Sequence, residues 1–385
     1  MVMTEIKLTG RGVCIGGFTA GGAKDGKYGV AIIKNNSVCR CAALFTRNSL
    51  KAAPVLVSRE NVKNGIQAIV ANSGNANACT PNGLADAKKM CRIAAGALSV
   101  DEKNIAVAST GIIGRLLDMG KVEALIGEVS GGLSAGKSPD AARAIMTTDT
   151  VKKEISVEYK GIEVGAIAKG VGMVCPGMAT VLCFVTTNAN LSDAELYESL
   201  KSAADSSLNM LIVDGDMSTN DCLFLLSEGT KKCSALDFRH ALDYVLVEIT
   251  KMLARDGEGA TKLIEADVIG GETPEIARTC ARAIVTSPLV KTAIYGENPN
   301  WGRIAAAVGS VADVDFENLE IRLKSENGEA TTLKKGQGGD LKQAEAVLRG
   351  KEILIIVNMN SGNGKARAFG CDLTPGYVKI NAEYN

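Results

Sequence analysis

Between Lys169 and Asn188 the sequence reads Lys-Gly-Val-Gly-Met-Val-Cys-Pro-Gly-Met-Ala-Thr-Val-Leu-Cys-Phe-Val-Thr-Thr-Asn, a loop broken by glycine and proline followed by a run rich in β-branched residues. Such a run reads as a buried strand, and Thr180 stands at the junction. A threonine after a small residue, opening a strand behind a permissive loop, can attack the carbonyl that precedes it. Here that carbonyl is Ala179's. An N to O acyl shift and ester hydrolysis would then leave Thr180 as a new N-terminus. Its α-amine, with a reference pKa of about 8, can serve as base for its own hydroxyl. The plainer reading of Thr180 alone is the first residue of an ordinary strand.

Other nucleophiles are poorly supplied. Cys175 and Cys183 flank Thr180, but the chain has a single histidine, His240, on the apolar spacing of a helix from Leu236 to Leu253. Histidine-based triads and histidine-rich metal sites are therefore excluded, and no metal is expected. The 11 cysteines contain no C-x-x-C pair and read as small buried hydrophobes in a reducing compartment. Lysine plus arginine equal aspartate plus glutamate at 43 each, which leaves no basic surplus for nucleic acid or anionic lipid. No apolar run approaches the roughly 20 residues of a membrane helix. The N-terminus lacks the features of a signal or transit peptide, so a cytoplasmic protein with small-molecule partners is expected.

The elements that must position Thr180 form an α/β pattern. Short β-rich runs at Tyr28–Ile33, Val38–Phe45, Pro54–Val57 and Gln67–Ala71 predict a sheet. Asn72-Ser-Gly-Asn-Ala-Asn-Ala-Cys-Thr80 then leads into a helix over about 81–98, with Thr80 as its N-cap and Asn72, Asn75 and Asn77 as supporting groups for a site. A strand at Ile105–Ala108 ends in Ser109-Thr-Gly-Ile-Ile-Gly114, where a hydroxyl and a backbone N–H could face an oxyanion. Gly131 to Ser138 matches the Walker A spacing, but helical residues precede it and Pro139 follows, so it reads as a loop between helices. Strands at Lys153–Tyr159 and Ile162–Ala168 deliver Lys169, and a helix over 193–207 precedes the acidic loop Asp214 to Asp221. That loop lacks the glutamate and spacing of a calcium site. Strand Cys222–Leu226 follows. In Ala254-Arg-Asp-Gly-Glu-Gly-Ala-Thr-Lys262 a carboxylate stands between two glycines, where packing alone gives it little purpose. From about 272 a further lobe is expected, with helices over 273–285 and 341–348, a helix opened by Asn298 to Arg303, and strands at 290–295, 319–323, 329–333, 352–357 and 376–381.

The run Lys-Gly-x-Gly-Met-x-x-Pro-x-Met-Ala-Thr at 169–180, together with 254–262, resembles the ornithine acetyltransferase (ArgJ) family of arginine biosynthesis, and the resemblance spans essentially the whole chain. It implies a four-layer αββα sandwich of the self-processing N-terminal-nucleophile type with an additional C-terminal α/β lobe at about 272–385. It implies cleavage between Ala179 and Thr180 into an α chain (1–179) and a β chain (180–385) that associate as α2β2. The implied reaction is ping-pong transfer of acetyl from N-acetylornithine to glutamate by Thr180, with acetyl-CoA open as an additional donor and no other cofactor. The implied site has Thr110 and Gly111 as oxyanion hole, and Thr147, Lys169, Thr180, Glu258 and Asn381 as substrate contacts. The family also uses a threonine two residues past the final tyrosine; this sequence ends at Asn385, so that contact is not carried over. A related N-terminal-nucleophile amidase or aminopeptidase, in which water takes the acyl group, is the alternative expectation. A binding protein that is never cut is the bland one.

Overall fold

The computed structural model describes residues 5–175 and 181–383; Ala179 and Thr180 lie outside the described residues. In chain order the elements are β1 (Lys7–Leu8), β2 (Phe18–Asp25), β3 (Tyr28–Phe45), α1 (Ala53–Asn61), β4 (Ile66–Ser73), α2 (Gly83–Leu98), β5 (Ile105–Ser109), α3 (Met119–Ser130), α4 (Ser138–Ala144), β6 (Lys153–Tyr159), β7 (Ile162–Lys169) and β8 (Leu182–Asn190). They continue with α5 (Asp193–Asp205), β9 (Leu211–Ile212), β10 (Cys222–Lys232), α6 (Ala235–Arg255), β11 (Leu263–Gly271), α7 (Pro274–Thr286), α8 (Pro288–Tyr295) and α9 (Trp301–Gly309). The last are β12 (Glu320–Ser325), β13 (Gly328–Lys334), β14 (Gln337–Gly338), α10 (Leu341–Leu348), β15 (Glu352–Asn358), β16 (Gly364–Cys371) and α11 (Pro375–Glu383). The chain divides into two compact units. One comprises Met1–Met173, Gly177–Leu208 and Asp216–Ile249, the other Val174–Pro176, Asn209–Gly215 and Thr250–Asn385.

The first unit holds a mixed sheet in the order β1-β6-β7-β8-β10-β3-β4-β5, with β2 also on β3. The long β3 serves two neighbourhoods: residues 28–35 pair with β2 and β4, whereas Arg40–Phe45 pair with β10. The polar Asn35-Asn36-Ser37 break, expected to separate two strands, is a register shift within one strand, where the Asn35 side chain accepts the Ser37 N–H at 3.0 Å. Strand alternation then sorts the apolar residues. Ile33, Ile69, Ala71, Ala106 and Ala108 join Leu182, Phe184, Cys222, Phe224 and Leu226 in one core. Val30, Ile32, Ala68, Val70, Ile105 and Val107 point the other way, onto α2 and α3. Burial on both faces explains why these strands are apolar nearly throughout.

The second unit has a mixed sheet in the order β14-β13-β12-β15-β11-β16-β9, with β11 parallel to β15 and antiparallel to β16. Helix α7 covers β11 and β16 with Ala277, Cys280, Ala281, Ile284 and Val285 buried. Among the described residues, no helix is long and apolar enough to cross a membrane.

Three segments expected as strands are helices. Residues 54–57 lie in α1, 290–295 in α8 and 376–381 in α11. Each helix has a proline at its first or second position, where a missing N–H costs nothing and the fixed φ favours the turn. Those starts override the β-branched residues behind them. Two further corrections concern Thr80, since the N-cap of α2 is Asn82, and β16, a strand not anticipated at 364–371. The Gly131–Ser138 stretch does connect two helices, α3 and α4.

Phe224 is fully buried on β10, with its ring centroid 6.0 Å from Phe184 and 5.6 Å from Phe45. Phe224→Ala is expected to lower stability by about 3–5 kcal/mol, read as a shift of the denaturant midpoint with unchanged slope.

Candidate functional site

In the first unit a group of buried polar residues lies where β7 ends and β8 and β10 begin. Strand β8 is hydrogen-bonded on both sides, so Leu182 stands opposite Lys169 on β7 and opposite Cys222 on β10. This row fixes Lys169 beside the start of β8. Only 3% of Lys169 is exposed, and its Nζ donates to the Thr110 Oγ1 at 3.1 Å. An ammonium is donor-only, so Thr110 must accept here, which leaves its own O–H free to donate elsewhere.

The loop carrying Thr110 is held from beneath. Thr110 N–H donates to the Asn72 carbonyl at 3.0 Å, and the Ser109 hydroxyl donates to the Asn72 Oδ1 at 2.5 Å. Asn75 donates to the carbonyls of Arg115 and Leu116, and Asn77 to that of Gly83. The three asparagines thus act as braces of the loop that carries Thr110. Gly111 has φ +131°, and a Cβ there would lie 2.3 Å from the Gly74 carbonyl carbon. Only glycine fits so close an approach. Asn220, from the acidic loop, donates to the carbonyls of Ala76 at 2.6 Å and Ser109 at 2.9 Å, tying that loop to the strand end before Thr110.

A second carboxylate organises the other side of Lys169. Asp149 accepts from Lys153 Nζ at 2.6 Å and from the N–H groups of Thr147 and Gly170, each at 3.2 Å. Burial works against its ionised form, but the charges of Lys169 and Lys153 and these hydrogen bonds outweigh it and hold the carboxyl below its ordinary range. Thr147, Lys169 and Thr110 are therefore part of one network. Nothing in the sequence pattern separated Asp149 from its polar neighbours Thr148 and Thr150, because its burial is set by the fold.

Asp221, just before β10, is the other buried carboxyl, 1% exposed, and neither oxygen has a hydrogen-bond partner among the described residues. Burial pushes its pKa well above the usual carboxylate value; the Ser218 hydroxyl, the Val181 N–H and the Lys169 charge pull the other way and lose. The rival nucleophile Cys183 is fully buried on β8, and burial pushes its thiol up as well, which leaves it unreactive. His240 is exposed on α6 and packs against Tyr159 with ring centroids 4.8 Å apart.

In the second unit Glu258 and Asn381 come together. Asn381 Nδ2, on α11, donates to the Glu258 Oε2 at 2.8 Å. The loop bearing Glu258 is fixed by Asp372, which accepts the N–H groups of Thr261 at 2.8 Å and Lys262 at 2.9 Å, and by Thr374, which donates to the Gly259 carbonyl at 2.6 Å. Gly259 has φ +69°, and a Cβ there would lie 2.3 Å from Tyr377 N. The glycine next to Glu258 is thus required by the approach of α11. Among the described residues, no group of three or more histidine, cysteine, aspartate or glutamate side chains could hold a metal ion.

Buried charges at strand ends, beside a glycine that no side chain could replace, are the architecture of a mixed α/β enzyme. The ArgJ family model matches residues 15–385, and the chain belongs to the ArgJ family. It is 46% identical to the glutamate N-acetyltransferase of Methanothermobacter thermautotrophicus, with 100% of both chains covered. It is 45% identical to the arginine biosynthesis bifunctional protein ArgJ of Archaeoglobus fulgidus, covering 96% of this chain and 98% of that one. The crystal structure of arginine biosynthesis bifunctional protein argJ from Bacillus halodurans is 38% identical, covers 52% of this chain and 98% of its own, and superposes with a TM-score of 0.48.

Asp149 has a folded pKa below its ordinary 3.8. Its contribution to stability is therefore present above about pH 4 and lost as pH falls below that, through the folded value. Asp149→Asn removes a buried counter-charge from beside two buried ammonium groups and is expected to cost about 3–5 kcal/mol at pH 7. Denaturant unfolding across pH checks both points; an unchanged midpoint at pH 7 would remove Asp149 from the network.

Proposed function

We propose that this chain is an acyltransferase of arginine biosynthesis, a glutamate N-acetyltransferase that moves acetyl from N-acetylornithine to glutamate through an acyl-threonine. The observation that carries this reading is the full-length match to glutamate N-acetyltransferases and ArgJ proteins at 45–46% identity. The precursor is cut between Ala179 and Thr180, giving an α chain (1–179) and a β chain (180–385) that assemble as α2β2. The fold is the four-layer αββα sandwich with a C-terminal lobe. The shared core on one face of β3, β4 and β5, and the helices on their other face, favour that layering. Buried thiols such as Cys91, Cys183 and Cys222 favour the reducing environment of the cytoplasm.

In the first half-reaction the free α-amine of Thr180 takes the hydroxyl proton, and Oγ1 attacks the acetyl carbon of acetylornithine. The developing oxyanion is met by the Thr110 O–H and the Gly111 N–H. The Lys169 contact favours this role for Thr110, since it turns the hydroxyl proton outward. The Lys169 ammonium meets a substrate carboxylate, and Thr147 contacts the substrate beside it. Glu258, steadied by Asn381, takes the substrate amine. Ornithine leaves with the amine's proton, glutamate enters, and the reverse steps deliver acetylglutamate.

A denaturing mass spectrum of the purified protein should show two chains, 1–179 and 180–385, and Thr180→Ala should show one intact, inactive chain. A single uncut chain from an active wild-type preparation would contradict the proposal. Glu258→Ala should still be cut, while its KM for acetylornithine rises about 10- to 100-fold through loss of a charge-assisted contact. A normal KM would remove Glu258 from the site. Running the same assay with acetyl-CoA as donor separates bifunctional from monofunctional transfer.

A further inference from the structure

Asp221 is a buried carboxyl whose oxygens have no hydrogen-bond partner among the described residues, an expensive arrangement for a residue with only a packing role. Its position is fixed by strand pairing. Cys222 N–H donates to the Val181 carbonyl at 3.1 Å, and Cys222 stands opposite Leu182 in the parallel pair of β8 and β10. Asp221 therefore stands at the level of Val181, whose N–H is near enough to favour its ionised form. The nitrogen of Val181 is bonded to the carbonyl carbon of Thr180. The carboxyl is thus one residue along the chain from the peptide bond that must break. The other groups facing it are the Ser218 hydroxyl and the Lys169 ammonium, and the Cys222 thiol is the next titratable group along the chain.

We infer that Asp221 carries the proton of the self-cleavage step, an inference that rests on the reading of Thr180 as the nucleophile. The Thr180 hydroxyl oxygen bonds to the Ala179 carbonyl carbon and gives its proton to one carboxyl oxygen. The neutral carboxyl gives its own proton from the other oxygen to the Thr180 nitrogen. The carbon–nitrogen bond breaks, and an ester and a free amine result, with Asp221 neutral again. Water then hydrolyses the ester. A neutral acid suits this exchange because it donates and accepts in one step, and burial pushes Asp221 toward its neutral form. No such acid is needed in later turnovers, when the freed amine is the base.

The test follows cleavage of the full chain by denaturing mass spectrometry, beside thermal melting, for wild type, Asp221→Asn and Asp221→Ala. Asp221→Asn keeps the shape of the side chain but cannot relay a proton. It is expected to fold with a wild-type melting profile and to be cut at least about 100-fold more slowly. Asp221→Ala is expected to stay uncut until formate is added, with the rescue growing as pH is lowered and more formic acid is present. Cleavage of Asp221→Asn at the wild-type rate would overturn the inference, as would an uncut Asp221→Ala chain that formate fails to restart. An active wild-type chain found uncut would overturn the reading of Thr180 itself, and the role of Asp221 with it.

Discussion

The first unit depends on the pairing of β8 with two neighbours at once. Antiparallel β7 sets Lys169 against Leu182, and parallel β10 sets Cys222 against the same residue. Each ladder alone would leave its partner free to slip, and a slip of one residue would turn every side chain to the opposite face. Together they bring a lysine and an aspartate to the start of the strand that follows Thr180. Apolar residues on both faces, Phe184 and Phe224 among them, exclude water and make the register costly to change.

Within that frame two aspartates meet opposite fates. Asp149 receives two lysines and two backbone N–H groups and stays ionised, whereas Asp221 is buried without a matched partner and is pushed toward its neutral form. Lys169 is near both, and its charge favours the ionised form of each. The second lysine decides between them: Lys153 adds a charge and a hydrogen bond to Asp149, and Asp221 has no such neighbour among the described residues. Separating the proton affinities of two carboxyls by environment is how one site can hold a fixed charge and a mobile proton together. The same network supports Thr110, because a lysine that can only donate turns the threonine hydroxyl outward.

Much of this was legible in the sequence. Glu258 stands out because a carboxylate between two glycines has little packing reason to be there, whereas Thr110, Gly111, Lys169 and Asn381 were marked by the family resemblance; the structure pairs Lys169 with Thr110 and Glu258 with Asn381. Asp149 and Asp221 were not legible, since a carboxylate's burial depends on contacts distant in the chain, as with Lys169 and Gly170 around Asp149 and Lys169 and Val181 around Asp221. The misread helices α1, α8 and α11 show a different limit. Val55-Leu56-Val57 and Val290 to Tyr295 have strand-like composition, but a proline near the first helical position had already fixed the backbone. Reading the start signal before the side-chain types would have placed all three.

The account stands most directly on an acyl-enzyme at Thr180. Purified protein mixed with N-acetylornithine in the absence of glutamate, then quenched and analysed by mass, should carry one acetyl group on the 180–385 chain, placed on Thr180 by fragmentation. Added glutamate should discharge it as acetylglutamate in preference to acetate. An enzyme that makes acetylglutamate without ever carrying acetyl on Thr180, or that discharges it only to water, would contradict the account.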